Sequence, residues 1–346
     1  MTVPRKSKTA VVLFNLGGPD CIEAVQPFLF QLFCDPAIIP LSFPLRYLVA
    51  KLLSWYRCRE ASQIYQQLGG CSPLLENTQH QALALEKALG DNYRVFVCMR
   101  YWRPRAEEVV EAIQMWGAQH VILIPLYPQF STTTTGSSLK EWYQIANRKA
   151  VHIPTQQVCC YPVHEQFLNA HKELIVKAVS ALPVTSYRLL LTAHGLPQRV
   201  VDRGDPYAWQ VQSGVQRLVH LLDIPGLDWR LCYQSRVGPL KWLRPYTDDE
   251  IILAAQQGKG VVIVPFSFVS EHAETKIELD RQYQKLAEVH GAPFYLRVPA
   301  LGCHPRFIKC LKDLVVNEGG ANFRCPSEYR DCFMCNEKFL SYEEGF

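Results

Sequence analysis

Nowhere in the 346 residues do eighteen uncharged apolar residues run together, so no membrane-spanning helix is expected. The start, Met1 to Thr9, carries basic side chains but no apolar stretch of the kind a secretory leader needs. Strong charge bias is missing too. Lys and Arg number 36 against 32 Asp and Glu, and a net charge of +4 is too small for an extended nucleic-acid surface. The glycines of Leu16-Gly17-Gly18-Pro19-Asp20 follow a strand pattern, Ala10 to Asn15, but lack the spacing of a dinucleotide fingerprint. No Ser or Cys stands in a nucleophile elbow, which favours proton removal or metal handling over acyl transfer.

Cysteine, by contrast, is plentiful. The 13 thiols are odd in number and scattered through strand-like and helix-like segments, which reads as packing thiols in a reducing compartment rather than a disulfide framework. The exception is the tail, where Cys325, Cys332 and Cys335 crowd together.

Strand and helix patterns alternate along the chain. Apolar runs at Ala10 to Asn15, Tyr93 to Met99, His120 to Pro125 and Gln156 to Cys160 read as four strands, with helices at Asn77 to Leu89 and Ala106 to Met115. A second series follows at Tyr187 to Thr192, Trp229 to Tyr233, Val261 to Val269 and Phe294 to Val298, with helices at Tyr207 to Leu222 and Asp248 to Gln256. Four strands per half with helical crossovers predict an α/β protein of two doubly wound, Rossmann-like lobes with a cleft between them. The expected division is 1–162, 163–317 and a Cys-rich tail, 318–346. Within the first lobe, Phe28 to Tyr56 is unusually greasy, interrupted by Pro40 and Pro44 and flanked by Arg46, Lys51, Arg57 and Arg59. Such a segment is either core or an exposed lip that touches a membrane or a greasy ligand.

Chemistry concentrates in the second half. Ser270 reads as the N-cap of a helix on which Glu271, Glu274 and Glu278, at i, i+3 and i+7, share a face, with His272 beside them and Asp280 beyond. Acidic residues also suit a helix's first turn for the sake of its dipole. His194, ahead of Gly195-Leu196-Pro197 at another strand end, is a candidate general base, since a neutral imidazole accepts a proton near neutral pH.

At these residues the chain resembles the ferrochelatases. His194-Gly195-Leu196-Pro197 with Asp202-Arg203-Gly204-Asp205-Pro206-Tyr207, and Phe268-Val269-Ser270-Glu271-His272-Ala273-Glu274-Thr275, carry the likeness. So do Asn15-Leu16-Gly17-Gly18-Pro19, Tyr127-Pro128-Gln129-Phe130-Ser131, Thr135-Gly136-Ser137-Ser138 and Gln234-Ser235-Arg236-Val237-Gly238-Pro239 with Trp242-Leu243. The resemblance runs from about residue 9 to 317. It implies a chelatase-like fold and insertion of ferrous iron into protoporphyrin IX, the last step of haem synthesis.

The same resemblance assigns His194 to proton abstraction or metal placement, with Glu274 the other contact for the incoming Fe2+. Glu274 and Glu278 form a path for protons or metal, and Glu271 and His272 stand in support. Leu16, Tyr127 and Trp242 are expected as porphyrin walls, Arg100 and Tyr101 at the cleft, and Arg57 and Ser72 on the propionates. The greasy stretch becomes a lip in peripheral contact with a membrane, on a cytoplasmic protein associated with the inner membrane, monomer or homodimer.

Some ferrochelatases also hold a [2Fe-2S] cluster, on C-terminal cysteines plus one from the turn after Tyr-Pro-Gln. Here that turn reads Ser131-Thr132-Thr133, so the usual distal ligand is absent. Cys325, Cys332 and Cys335 still offer three thiolates suited to iron–sulfur or zinc, with Cys160 or Cys303 as a fourth and Cys160 preferred. The alternatives are a coproporphyrin ferrochelatase, a cobalt chelatase, a porphyrin or haem carrier without turnover, and an iron–sulfur sensor.

Overall fold

A computed structural model describes residues 7–180, 182 and 186–316. In the first half the elements are β1 (Thr9–Asn15), α1 (Val25–Phe33), α2 (Phe43–Gln66), α3 (Leu74–Leu89), β2 (Tyr93–Met99), α4 (Ala106–Trp116), β3 (His120–Pro125), α5 (Ser137–Arg148) and β4 (Thr155–Gln157). In the second they are α6 (Glu165–Ser180), β5 (Tyr187–His194), α7 (Gln198–Asp202), α8 (Tyr207–Leu222), β6 (Trp229–Gln234), α9 (Thr247–Gln256), β7 (Gly260–Pro265), α10 (Gln284–Val289), β8 (Tyr295–Arg297) and α11 (Pro305–Val316). Two π-helical segments, Thr132–Gly136 and Glu274–Tyr283, run directly into α5 and α10.

Strands are ordered β2-β1-β3-β4 in one sheet and β6-β5-β7-β8 in the other, and every pairing is parallel. Parallel strands need helical crossovers, which cover both sheet faces and explain why β1 and β7 are buried along their whole length. In each sheet the earliest strand lies inside, next to the point where the order reverses, so the loops after β1 and β5 fall where open α/β sheets build their sites. The chain forms two compact units. One holds the described residues up to Tyr161 together with those from Ile308 to Val316, and the other is Pro162–Phe307. The chain therefore returns to the first unit near its end instead of remaining in the second to residue 317.

The first unit's core joins Val12 and Phe14 of β1 to Val109 and Ile113 of α4 and Leu139 and Trp142 of α5, with Phe14 and Trp142 edge to face at 5.7 Å. The second unit's core joins Leu190, Cys232 and Ile263 from three strands to Ile251 and Ala254 of α9, Leu279 and Ala287.

Three local expectations change. β7 ends at Pro265, not Val269, because proline has no N–H to continue the ladder. The β4 run stops at Gln157, and Val158 to Cys160 continue as buried irregular chain. The helix expected to begin after Ser270 starts later, with Ala273 as N-cap, and its i→i+5 closure gives wider turns than the assumed α-helical period.

The greasy stretch resolves into α1 and the 24-residue α2, with Pro44 in α2's first turn, where a missing N–H costs nothing. Phe43, Leu48, Leu52, Trp55 and Tyr56 are 62 to 72% exposed. Leu45, Leu48, Leu52, Trp55 and Tyr56 recur at helical spacing and form an apolar stripe on the outside of the fold. No helix among the described residues is long and apolar enough to cross a membrane.

Candidate active site

His194 ends β5, and the turn after it is shaped by close packing. A Cβ on Gly195 would lie 2.9 Å from the Gln234 carbonyl and 3.3 Å from the Trp242 ring, so only glycine lets the turn sit against both. The Tyr207 hydroxyl, from the start of α8, donates to the His194 carbonyl at 2.9 Å, and the Asp205 carboxylate accepts the Tyr207 backbone N–H at 3.0 Å. The Asp205-Pro206-Tyr207 part of the sequence motif is thereby explained as the brace of the histidine.

The imidazole is oriented by its neighbours. Nδ1–H donates to the Gly195 carbonyl at 2.7 Å, because a carbonyl can only accept, and Nε2 lies 3.5 Å from Glu274 Oε1. His272 repeats the arrangement: Nδ1–H donates to the Ser270 carbonyl at 3.1 Å and Nε2 lies 3.4 Å from Glu274 Oε2. The half-buried Phe268 ring packs between the two imidazoles, 6.4 Å from one and 4.7 Å from the other. One carboxylate is thus bracketed by two imidazoles, each aimed by a backbone carbonyl.

Burial works against the His194 imidazolium, but the Glu274 anion, the Gly195 carbonyl and Glu278 outweigh it and raise the pKa to about 9. Burial also opposes ionisation of Glu274, yet the two imidazoles hold its carboxyl well below the usual range. At neutral pH the resting pair is imidazolium and carboxylate. This balance favours the charged pair, so His194 can act as a base only after releasing its proton.

Glu278 is engaged differently. Oε1 accepts from the Ser235 N–H at 3.0 Å and the Tyr283 hydroxyl at 2.8 Å, and Oε2 from the Ser235 hydroxyl at 2.5 Å and Gln234 Nε2 at 3.1 Å. Ser235 adopts a φ of +64° to deliver both donors. Three of these donors tie the carboxylate to the end of β6 as an anchor for the π-helical segment, and the fourth, Tyr283, comes from the segment itself. Glu271 does not share the face of Glu274. It precedes the helix and turns to Arg297 Nη1 at 2.5 Å and the Ala300 N–H at 3.0 Å; burial opposes its charge, but Arg297 and these hydrogen bonds prevail and lower its pKa. Arg297 also holds Asp280 at 2.5 Å, which completes a brace between the segment and β8.

In the first unit, Leu16, Arg100 with Tyr101, and Tyr127 follow the C-terminal ends of β1, β2 and β3 in turn. The Tyr101 N–H donates to the Leu16 carbonyl at 2.9 Å. A Cβ on Gly18 would meet Ser72 Oγ at 2.4 Å, so Ser72 is pressed against the turn after β1. Arg57 pairs with Glu60 one helical turn away. Arg100 is tied to Asp35 at 2.8 Å, Glu141 at 3.1 Å and the Ser137 hydroxyl at 2.8 Å. Burial would lower its pKa, but Glu141, Tyr101 and Asp35 raise it instead. Burial and the nearby Asp35 anion push the Tyr101 hydroxyl well above its ordinary pKa, which keeps it a donor. Sequence reasoning passed over Asp35 and Tyr283, and quoted Tyr207 and Ser235 within motifs without giving them a role.

For the expected iron–sulfur cluster, Cys325, Cys332 and Cys335 lie outside the described residues. Cys160 is fully buried and Cys303 is exposed. Among the described residues no group of three or more His, Cys, Asp or Glu could hold a metal ion.

The chain matches the family model described as Ferrochelatase over residues 8–319. A ferrochelatase of Pelagibacter ubique is 45% identical over 94% of this chain and 98% of its own, and one of Wolbachia sp. from Drosophila simulans is 48% identical over 90% and 99%. Among solved structures, SirB from Bacillus subtilis with Fe3+ superposes with a TM-score of 0.50 over 89% of this chain and 94% of its own, at 17% identity, a likeness of fold alone.

Proposed function

The chain belongs to the ferrochelatase family, enzymes that insert iron into porphyrin in haem synthesis, and from that premise we infer which of its groups carry the chemistry. The observation that carries the reading is the Glu274 carboxylate bracketed by His194 and His272. Two pyrrole N–H protons must leave as Fe2+ enters. Approach of the cation disfavours the imidazolium, so His194 releases its proton to solvent, and the neutral Nε2 beside the Glu274 carboxylate can then accept one from the macrocycle. His272 shares the second carboxylate oxygen and offers the next acceptor along. Glu274 with His194 meets the substrate metal. Glu278 and Glu271 hold the segment in place.

Trp242, packed on Gly195 beside His194, is placed to serve as a flat apolar wall, and Leu16 and Tyr127 are assigned the same role in the first unit. Arg100 and Tyr101 are assigned to porphyrin and metal handling, and Ser72 and Arg57 to the propionates. The apolar α2 stripe, with Lys51 and Arg59 exposed along it, supports peripheral contact with an anionic lipid surface and favours the less polar protoporphyrin IX over coproporphyrin. A [2Fe-2S] centre rests on the tail cysteines of the sequence with Cys303 as the accessible fourth thiol. Protein purified without oxygen is expected to be brown if the tail holds such a centre, and colourless, with bound zinc or with no metal, if it does not.

Anaerobic incubation with Fe2+ and each porphyrin in turn, followed by loss of metal-free porphyrin fluorescence, tests the reading. Wild-type protein is expected to quench protoporphyrin fluorescence with turnover, and His194→Ala to bind porphyrin without inserting iron. Insertion by His194→Ala at the wild-type rate would overturn the assignment.

A further inference from the structure

Asp35 stands in the greasy stretch between α1 and α2, a place where a buried carboxylate has no evident reason to be. It is 4% exposed. Oδ2 accepts from Arg100 Nη2 at 2.8 Å, the Tyr101 hydroxyl at 2.7 Å and the Ser137 hydroxyl, and Oδ1 accepts the Ala37 N–H at 2.8 Å. Its carbonyl takes the N–H groups of Ile38 at 3.1 Å and Ile39 at 2.9 Å, so the residue forms the corner of the α1–α2 hairpin. The Arg100 guanidinium is held on three sides, by Asp35, by Glu141 and by Ser137, and its carbon lies 4.8 Å from the Tyr101 ring centroid. Arg105 supplies a second cation to Glu141 and balances the group at two charges of each sign.

Buried ion pairs are poor stabilisers: apolar replacements of the same shape often serve a fold as well or better. The need met here is orientation. Three of the five guanidinium N–H groups are committed, which leaves the arginine one position; two of the bonds come from α5, and the hairpin enters through the single Asp35 carboxylate.

We propose that Asp35 is a positioning residue for the reaction, fixing Arg100 and Tyr101 through Oδ2 and thereby tying their placement to the seating of the α1–α2 hairpin. The proposal rests on the assignment of Arg100 to substrate handling given above. Displacement of a catalytic group by about 1 Å commonly costs on the order of 100-fold in rate, so Asp35→Asn should lower kcat for Fe2+ insertion into protoporphyrin by about 10- to 100-fold. Because the porphyrin's apolar walls are untouched, its KM should stay within about threefold.

The test compares full-length Asp35→Asn, Asp35→Glu and Arg100→Gln with the double variant Asp35→Asn/Arg100→Gln. Asp35→Glu should recover part of kcat. In the Arg100→Gln background, Asp35→Asn should cost less than about twofold more, since residues acting as one unit are not additive. An equal loss in both backgrounds would show that Asp35 serves only the fold and would overturn the proposal. Wild-type kinetics for Arg100→Gln alone would overturn the premise about the arginine, and the positioning role with it, by a result visible before Asp35 is altered. Should Asp35→Asn not fold, Ser137→Ala removes one donor to Oδ2 and the acceptor of Arg100 Nε while both charges remain. It is expected to lower kcat several-fold at an unchanged melting temperature, and full kcat in that variant would equally overturn the proposal.

Discussion

His194 is the residue at which two opposed effects meet: burial disfavours its imidazolium, and Glu274, 3.5 Å away, favours it. The account predicts that its ring titrates above the ordinary 6.5 in a proton NMR titration, and that the midpoint falls in Glu274→Gln, where the nearest counter-charge is gone and burial remains. The linkage follows with a definite sign. A histidine whose folded pKa lies above its unfolded one contributes stability in full below pH 6.5 and loses it as pH rises through about 9. The stability difference between wild type and His194→Ala should therefore shrink across that window in urea titrations. With the His194 side chain 38% exposed, solvent screening makes the effect smaller than a full shift to about 9 would give. The sequence offered both His194, at the end of β5, and Glu274, on the helix after β7, as candidate site residues, and the fold brings them within 3.5 Å of each other. Their shared proton was not legible there, since the charge of an imidazole depends on a partner 80 positions away.

Among the elements, strands were the most readable. β3 runs as expected, because a parallel strand covered on both faces is a continuous apolar run between polar ends, and β2 keeps its expected bounds although it is the half-buried edge strand. The Glu274–Tyr283 segment was misread for a physical reason: its acidic residues were spaced on an α-helical period, whereas it closes i→i+5 and leaves Glu271 outside. Ser235, Gln234 and Tyr283 hold the segment through Glu278, and Glu278→Gln would set an amide N–H2 against these donors. A buried polar group deprived of its partner costs about 1–3 kcal/mol, so this variant should melt lower than wild type in calorimetry, whereas Glu274→Gln should be felt mainly in kcat. Asp35 escaped notice for the opposite reason. Its partner Arg100 lies 65 positions away, and nothing local marks a lone acid between apolar helices as a node.

The α2 stripe makes a separate prediction. Leu48→Ser/Leu52→Ser/Trp55→Ser changes side chains that are mostly exposed, so the melting temperature should hold while co-sedimentation with vesicles of anionic lipid falls. Retention of vesicle binding in this variant would remove the membrane reading of α2.

At the scale of the molecule, the sequence's two βα series correspond to two four-stranded parallel sheets of the same order. The return of the chain to the first unit was not legible, because α11 carries the same kind of apolar spacing whichever unit receives it. Ile308, Cys310, Leu311, Leu314 and Val315 are all 8% exposed or less. Full burial of an aliphatic side chain contributes about 1.5–3 kcal/mol, so a chain stopped after Phe307 forfeits an amount comparable to a typical domain's whole margin and is expected to be insoluble or unfolded by circular dichroism. The central claim, that the bracketed carboxylate carries the proton traffic of metal insertion, is tested most directly by single-turnover insertion of Fe2+ into bound porphyrin by Glu274→Gln. Porphyrin affinity is measured on the same sample. The account predicts affinity within about threefold of wild type and insertion slower by about 100-fold or more, the scale of a positioned acid–base group. A variant that binds porphyrin and inserts iron at close to the wild-type rate would contradict it.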